Sequence, residues 1–505
     1  MTDSQTLARL EAVVDASGQA PVIEARLPTG GRPRQLAVRT LLVGVLLAAS
    51  DDRPLQLVRV HQALISLDEP DKARLGVVAP WRAGAHLLTY RQVERTFCLV
   101  ASVDAPGSED VLDSVVDALV EGSVPEAWKD ATTSYSVDWT DHPTWARPVA
   151  KDAPRSSADP EAGWGHRKAH APGDRDQLFF GYYAQAVVMA PEEDGPAVPE
   201  LIRRIALEPP SVDPPTVMAG VLGAMAGSGV VVHDVLADSG YAHRSAERWA
   251  TPLRRIGARL VQDLHPHDRG QKGVFDGAVC SNGSLYCPAT PAGLLALGPT
   301  GRGADAQAIS AHDLSSAELA RWRLAPITSD DAEGYHRVAC PAAADKVRCP
   351  WKPASMALGF EHPEVTDPPA EPPRCCVQAT ITVPPSVNAK TRQKHPYPSA
   401  AHRQSYARRT GAERAFSTLK DPSSTDVRRG SCRLMGRTKN LVMLAAAVVV
   451  RNMRIIDSFE GARVEDQRRA LHGRPVKTRR RRRVPLMILP IHPETADKAA
   501  AANTG

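Results

Sequence analysis

The segment Ser405-Tyr-Ala-Arg-Arg-Thr-Gly-Ala-Glu-Arg-Ala-Phe-Ser-Thr-Leu-Lys420 carries four polar side chains at helical intervals. Arg409, Glu413 and Lys420 follow Tyr406 by 3, 7 and 14 residues. At about 100° per residue these positions lie within roughly 60° of one another on one helix face. Such a stripe suits phosphate chemistry, because the carboxylate can hold a metal ion while the cations and the phenol bind neighbouring phosphates. The competing interpretation is a salt-bridged surface helix.

The spacing Tyr-x2-Arg-x3-Glu-x6-Lys resembles the signature around the catalytic glutamate of bacterial insertion-sequence DDE transposases, in particular the insertion-sequence type four group. All four positions match. The resemblance implies that Glu413 is a catalytic carboxylate and that Tyr406, Arg409 and Lys420 contact DNA at the transposon ends. It also implies an α/β fold of the RNase H-like kind, a mixed sheet with flanking helices. The resemblance covers roughly residues 133–459.

A second carboxylate, Asp238, follows an apolar run in Val235-Leu-Ala-Asp-Ser-Gly-Tyr241. The pattern predicts a buried strand that ends at Asp238, and Gly240 is expected to let the chain turn sharply there. The motif resembles the second-aspartate motif of the same family, an apolar strand followed by Asp-x-Gly-Tyr. Taken alone, such a motif is more often a turn, and its place upstream of Glu413 favours the catalytic interpretation.

Two candidates for the first carboxylate lie close together in Val137-Asp-Trp-Thr-Asp141. We choose Asp138, because it ends a β-patterned run and because Asp-x-Thr resembles the motif at the first aspartate of this family. Asp141 precedes His-Pro and is interpreted as a turn residue. The predicted catalytic and metal-binding carboxylates are therefore Asp138, Asp238 and Glu413.

Three carboxylates at one sheet edge would repel one another unless divalent cations lay between them, and hard oxygen ligands favour Mg²⁺ or Mn²⁺. Two such ions can activate a water or a 3′-hydroxyl for in-line attack on a phosphodiester and stabilise the leaving oxygen. No covalent enzyme intermediate is needed, so Ser239 and Tyr241 need not be nucleophiles. The pattern is typical of a transposase that cleaves transposon-end DNA and joins it to target DNA.

Two rival functions use the same residues. A catalytically inactive descendant would only bind DNA, and a lost carboxylate would reveal it, whereas all three are present. A metal-dependent nuclease on the same fold would cleave strands without joining them, and the same two-metal site serves both reactions.

The chain has 505 residues, including 43 prolines and 35 glycines. This length exceeds what one core usually organises, and the Pro and Gly content indicates long irregular connections. The predicted regions are a helical DNA-binding domain (1–125), the first part of the catalytic core (126–264), a β-containing insertion rich in Pro, Gly and Cys (265–400), the helices that complete the core (401–460) and a basic, disordered tail (461–505).

Apolar periodicity predicts the main elements of these regions. The predicted strands are 134–140, 179–190, 230–237, 259–264 and 377–383, and the predicted helices are 215–226, 245–256, 401–420 and 441–456. Residues 141–176 are expected to form a loop, and residues 35–103 a small helical unit. Within that unit, residues 89–97 suit either a DNA-reading helix or a solvated helix of a packed bundle.

The insertion contains six of the eight cysteines, namely Cys280, Cys287, Cys340, Cys349, Cys375 and Cys376. Structural Zn²⁺ is one interpretation, but the intervals within the first two pairs miss the two-to-four-residue spacing of ordinary zinc sites. Eight cysteines are also too dilute for a disulfide framework in a chain of this length. We therefore expect reduced, partly buried thiols.

The net charge is only +5, but basic residues concentrate after Lys390 and culminate in the run Lys477–Arg483. That run would release counterions from a DNA backbone, although a merely solvated tail is an equal alternative. The expected partner is double-stranded DNA, at terminal inverted repeats and target sites, and the resemblance implies a homodimer on DNA. No secretory signal is visible, and the longest apolar runs are about half of a membrane span. We expect a cytoplasmic, nucleoid-associated bacterial protein without membrane contact.

Overall fold

The computed structural model describes residues 4–30, 34–51, 53–79, 86–103, 111–149, 156–167, 177–301, 303–331 and 333–475. The described residues up to Ile456 form one compact unit, and those from Asp457 belong to a second. The run Lys477–Arg483 lies outside the described residues, so its binding to DNA stays a prediction.

The N-terminal region consists mainly of helices, as its apolar pattern predicts. The helices are α1 (Ser4–Ser17), α2 (Gln19–Arg26), α3 (Val38–Ser50), α4 (Leu57–Ile65), α5 (Glu69–Arg74), α6 (Tyr90–Val100), α7 (Val111–Gly122) and α8 (Glu126–Lys129), with the short antiparallel strands β1 (Val78–Ala79) and β2 (His86–Leu87). A capping box of Thr89 and Gln92 starts α6, and Val93, Phe97 and Val100 bury one of its faces in the bundle. This packing matches the bundle interpretation of the segment, and its DNA-reading role stays a prediction.

A mixed six-stranded sheet forms the centre of the molecule. Its strands are β3 (Ser134–Pro143), β4 (Gly163–Arg167), β5 (Gln177–Ala190), β6 (Ile202–Glu208), β7 (Asp234–Ala237) and β8 (Arg259–Gln262). The order is β4-β5-β3-β7-β8, and β6 also pairs with β5. The long strand β5 is antiparallel to β3, β4 and β6, whereas β3, β7 and β8 run parallel to one another. A mixed α/β fold is therefore confirmed.

Helices α9 (Pro214–Gly227), α10 (Ser239–Ala242) and α11 (Ala250–Arg255) lie between the sheet strands in sequence. Helix α9 agrees with its prediction, but α11 is half the length predicted for 245–256. Residues 141–176 are not simply a loop, because β3 continues to Pro143 and β4 lies within this stretch. Asp141 was wrongly interpreted as a turn residue, since it pairs with Tyr183 inside the sheet.

The insertion contains two antiparallel three-stranded sheets. Its elements are β9 (Gln271–Phe275), β10 (Ala278–Ser281), β11 (Ser284–Tyr286), α12 (Ala292–Leu295), α13 (Ala306–Trp322), β12 (Ala325–Pro326), β13 (His336–Ala339), α14 (Arg374–Val377) and β14 (Ile381–Val383). The sheet orders are β11-β10-β9 and β12-β13-β14. Only the end of the predicted strand 377–383 is extended. The sequence pattern missed α13, a 17-residue helix with few buried side chains.

The chain then forms α15 (Ala400–Tyr406), a 3₁₀ turn (Ala407–Arg409), α16 (Thr410–Leu419) and α17 (Arg437–Leu471). The predicted helix 401–420 is thus interrupted by one tighter turn. Residues 461–471 are helical, which corrects the expected disorder of the chain from residue 461. Among the described helices, none combines the length and the apolarity needed to cross a lipid bilayer.

Two hydrophobic clusters cover the two faces of the central sheet. One joins the N-terminal helices and the buried run 441–450 of α17 to Tyr182 and Ala184 of β5. The other joins α9 and α11 to Tyr135 and Val137 of β3. Alternate side chains of the strands enter opposite clusters, as the two-residue period of a strand requires.

Candidate active site

Asp138 and Asp238 lie on neighbouring parallel strands. Strands β3 and β7 pair with Ser134 opposite Asp234 and Ser136 opposite Leu236. The same register continued by two residues brings Asp138 level with Asp238, which directly follows β7. The two predicted aspartates are therefore neighbours at one end of the parallel strands.

The side chain of Asp238 caps the short helix α10. Its Oδ1 accepts hydrogen bonds from the backbone N–H groups of Gly240 at 2.9 Å and Tyr241 at 3.4 Å. The Trp139 ring packs edge-on against Tyr241, with 4.5 Å between ring centroids. The ring contact therefore joins Trp139, the residue after Asp138, to Tyr241, whose backbone N–H group binds Asp238.

Gly240 is required for a different reason from the expected sharp turn, since it lies within α10. A Cβ atom at this position would meet Cη2 of Trp139 at 2.5 Å and Oδ1 of Asp238 at 3.0 Å. The absence of a side chain therefore makes room for the indole ring beside Asp238.

Glu413 reaches the same place from α16. Arg409, in the 3₁₀ turn before α16, forms an ion pair with Glu413, and its Nη1 lies 3.7 Å from Oδ2 of Asp138. The same guanidinium lies over the ring of Tyr406, 5.5 Å from its centroid. Arg409 thus links acidic groups from the strand and the helix.

Asp238 and Glu413 both act electrostatically on Asp138. Burial raises the pKa of Asp138 to about 7, and the negative charges of Asp238 and Glu413 add to the increase while Arg409 opposes it. Burial lowers the pKa of the Arg409 guanidinium, but Tyr406 and the carboxylates together raise it above its ordinary value. Three carboxylates and one guanidinium thus act here, and burial is the largest cause of the raised pKa of Asp138.

Tyr406 is more enclosed than a DNA-contacting residue was expected to be. Its ring stacks on that of His402 at 5.8 Å and packs against Leu236 and Val261. Burial raises the pKa of its hydroxyl above the ordinary range. The side chain supports Arg409, and its contact with DNA stays a prediction.

Lys420 lies apart from this cluster, at the end of α16. Its Nζ donates to Oγ1 of Thr140 at 2.6 Å and to Oδ1 of Asp141 at 3.1 Å. Asp141 also pairs with Arg167. Burial opposes the effect, but these two cations hold the pKa of Asp141 below its ordinary value. Of the four residues in the predicted stripe, Arg409 pairs with Asp138, and Glu413 and Tyr406 contact Arg409. Lys420 instead binds Asp141, the other aspartate of β3.

The chain matches no protein-family model and no curated protein sequence. Any function must therefore be inferred from the residues themselves.

The Tyr241 hydroxyl is a nearby polar group for which the sequence pattern predicted no role. It is completely buried, and no described residue forms a hydrogen bond with it. Burial, followed by the charges of Asp138 and Asp238, raises its pKa well above the ordinary value. A phenol whose ionisation is disfavoured is a poor nucleophile.

A second charged cluster, which the sequence pattern did not predict, lies at the opposite ends of the same strands. Asp234, the first residue of β7, is completely buried and pairs with Lys394 at 2.7 Å, Arg408 at 2.9 Å and Arg259 at 3.0 Å. Glu193 pairs with Lys394 and Arg408 as well. The partners come from distant segments, so local spacing carried no signal of the cluster.

In the part of the chain that the structure describes, no group of three or more His, Cys, Asp or Glu side chains is already arranged to hold a metal ion. The donor chemistry of Asp138, Asp238 and Glu413 nevertheless fits Mg²⁺ or Mn²⁺, because all three supply hard carboxylate oxygens.

Proposed function

We propose that this protein is a DDE-type transposase, which cleaves transposon-end DNA and joins it to target DNA with Mg²⁺ or Mn²⁺. The observation that carries the proposal is the meeting of Asp138, Asp238 and Glu413 around Arg409. These residues come from three segments far apart in sequence, and each lies in a motif that resembles a motif of that family.

The architecture supports an RNase H-like assignment. The sheet is mixed, and hydrophobic clusters that include helices cover both faces. The segment between β8 and α15 contains two small sheets of its own, as expected of a β-containing insertion. The proposed catalytic residues therefore lie before and after this insertion, and the central sheet and α16 bring them together.

Electrostatics favours Asp138 over Asp141 as the first carboxylate. Asp141 has two cationic partners, Arg167 and Lys420, and its pKa is lowered although burial opposes this. Asp138 faces other acidic groups, and its pKa is raised to about 7 by burial and by them. A divalent cation would relieve the unfavourable charge at Asp138 and has no such role at Asp141.

Asp138, Asp238 and Glu413 would hold the metal ions, which when bound activate the attacking water or 3′-hydroxyl and stabilise the leaving oxygen. Arg409 presents a planar guanidinium beside these carboxylates and above Tyr406, a position suited to binding a DNA phosphate that enters the site. The proposal includes double-stranded DNA as substrate and a homodimer on the two transposon ends.

The test is strand cleavage and joining by the purified full chain on labelled DNA that carries the flanking ends of its own gene. Reactions contain Mg²⁺ or EDTA and compare the wild type with Glu413→Gln. Glu200→Gln is a matched control, because Glu200 pairs with Arg414 on the same helix but lies outside the carboxylate cluster. Circular dichroism confirms that each variant is folded.

Joined products in Mg²⁺ that disappear with EDTA and with Glu413→Gln, but persist with Glu200→Gln, would support the proposal. Cleavage without joining would instead indicate a metal-dependent nuclease. Binding of the ends without cleavage in Mg²⁺ or Mn²⁺ would indicate a DNA-binding protein that has lost its chemistry.

A further inference from the structure

Four cysteines from separate segments of the insertion converge in the fold. Cys287 follows β11, Cys340 follows β13, Cys349 lies in the connection after it, and Cys376 is in α14. All four are buried, and none forms a disulfide. Cys287, Cys340 and Cys349 pack in one hydrophobic cluster, and each of them interacts electrostatically with Cys376.

Three of these cysteines begin Cys-Pro turns, of which two close between residues three apart and the one at Cys340 between residues four apart. The turns are closed by Thr290 N–H to the Cys287 carbonyl at 3.0 Å, Ala344 N–H to the Cys340 carbonyl at 3.2 Å and Lys352 N–H to the Cys349 carbonyl at 2.9 Å. The thiolate is the metal-binding form of cysteine.

The fourth thiol lies beside the third turn. The sulfur of Cys376 is 4.0 Å from that of Cys375, and the thiol interacts electrostatically with Lys352. Lys352 belongs to the Cys349 turn. Cys280 is different, because burial is the cause of its raised pKa and no neighbouring thiol contributes.

We propose that Cys287, Cys340, Cys349 and Cys376 bind a structural Zn²⁺ ion that holds the insertion together. Four soft thiolate ligands from turns are the donor set of structural zinc. No described group is already arranged to hold an ion, so the four sulfurs must approach one another further as the metal binds. Binding would release one proton from each protonated thiol, and Lys352 would offset part of the remaining negative charge.

The position of the cluster explains what the ion would do. Cys287 directly follows β11, a strand of the sheet β11-β10-β9, and Cys340 directly follows β13, a strand of the sheet β12-β13-β14. Each sheet has three strands of only two to five residues, and a sheet of this size is stable only when its apolar face is covered. A shared metal would join them and would make the folding of the insertion depend on zinc. This inference does not depend on the proposed transposase activity.

In the sequence, the intervals from Cys280 to Cys287 and from Cys340 to Cys349 do not indicate a zinc site. The proposed ligand set takes Cys287 without Cys280 and adds Cys376. Ligands from distant segments are recognised by their meeting in the fold and not by local spacing.

The test is the metal content of the full chain, purified with a reductant after expression with added Zn²⁺, and measured by plasma mass spectrometry. The wild type is expected to contain about one zinc per chain. Serine substitutions at Cys287, Cys340, Cys349 and Cys376 should each reduce zinc to a small fraction. Cys280→Ser, a matched change at another buried cysteine of the insertion, should retain it, and so should Glu413→Gln.

A second measurement uses the wild type alone, in case the serine variants fail to fold. Replacement of zinc by Co²⁺ should give the intense visible absorption of tetrahedral thiolate coordination, and chelation should make about four thiols newly reactive to a thiol reagent. A folded wild type that contains no zinc, one that contains iron in its place, or equal losses in Cys280→Ser and Cys376→Ser would overturn the proposal.

Discussion

The two ends of the strand pair β3 and β7 hold acidic side chains in opposite electrostatic settings. At the start of β7, Asp234 and the nearby Glu193 share the cations Lys394 and Arg408. Although burial opposes the effect, hydrogen bonds from Ser405, Lys394 and His395 lower the pKa of Glu193 to about 2. At the far end, burial and neighbouring carboxylates raise the pKa of Asp138 to about 7.

The difference separates structural acids from a candidate binding site. At the first end three cations pair with two carboxylates, and these ion pairs fasten the end of the insertion and the 3₁₀ turn after α15 to the sheet. At the second end three carboxylates share one guanidinium, and burial makes the ionised form of Asp138 still less favourable. An arrangement that costs folding energy is better explained by a ligand, and a divalent cation is the ligand that three carboxylates prefer.

The largest expected effect concerns catalysis. Asp138→Asn and Glu413→Gln should each slow strand cleavage by at least about a thousandfold, because the metal ions lose a ligand worth several kcal/mol at the transition state. Asp234→Asn should change the rate per folded molecule by less than about tenfold. Single-turnover cleavage, normalised to the folded fraction, measures this. Equal losses of cleavage rate in Asp138→Asn and Asp234→Asn would show that the two ends of the strands do not differ in their role in catalysis.

For the free energy of unfolding, the larger loss is expected at Asp234 and not at Asp138. Asp234→Asn should lower the free energy of unfolding by about 3–5 kcal/mol, because it leaves buried cations without their partner. Asp138→Asn should cause no loss at pH 8, since the ionised Asp138 is unfavourable in the folded protein above its unfolded pKa. Urea denaturation in EDTA provides the comparison. Glu318→Gln, in an exposed ion pair with Arg321, is the control and should cost less than about 1 kcal/mol.

Metal binding should distinguish the two ends as well. At about 100 times its dissociation constant, Mn²⁺ should stabilise the wild type by about 2.7 kcal/mol relative to EDTA. Asp234→Asn should keep this increment, and Asp138→Asn and Asp238→Asn should lose most of it. Thermal unfolding with and without Mn²⁺ measures the effect. An undiminished increment in Asp138→Asn would locate the ion elsewhere.

The smallest expected effect is a pH dependence from Glu193. Its pKa is about 2 in the folded protein and ordinarily 4.5, so its stabilising effect is complete above pH 4.5 and is lost as the pH falls towards 2. Because the side chain is partly exposed, we expect only about 1 kcal/mol from it. Glu193→Gln should therefore lose less stability than the wild type between pH 5 and pH 3, whereas Glu318→Gln should follow the wild type.

Long apolar runs made much of the fold predictable. Residues of β3, β5, α9 and the buried part of α17 were predicted close to their observed bounds, because their apolar side chains recur with a clear period. Strand β6 was missed, since Arg203 and Arg204 interrupt its pattern. Both arginines pair with Glu121 of α7, a partner that the local sequence cannot reveal.

The candidate site was predictable where a motif carried it. The spacing of Tyr406, Arg409 and Glu413 placed these side chains on one face, although a 3₁₀ turn separates the first from the last. Periodicity said nothing of the ion pair between Arg409 and Asp138, which depends on how α16 lies on the sheet. The contact between Lys420 and Asp141 was equally unpredictable, because the sequence pattern places Asp141 in a turn.

The buried run of α17 has a consequence for the synthesis of the chain. Residues 441–450 share one hydrophobic cluster with Leu10, Leu46 and Phe97 of the N-terminal helices. A ribosome makes those helices several hundred residues before it makes their packing partner. Until α17 is made, the apolar faces of these helices are exposed, and such surfaces promote aggregation or chaperone binding. A product that terminates before α17 would keep every N-terminal helix and still lack the segment that completes their core.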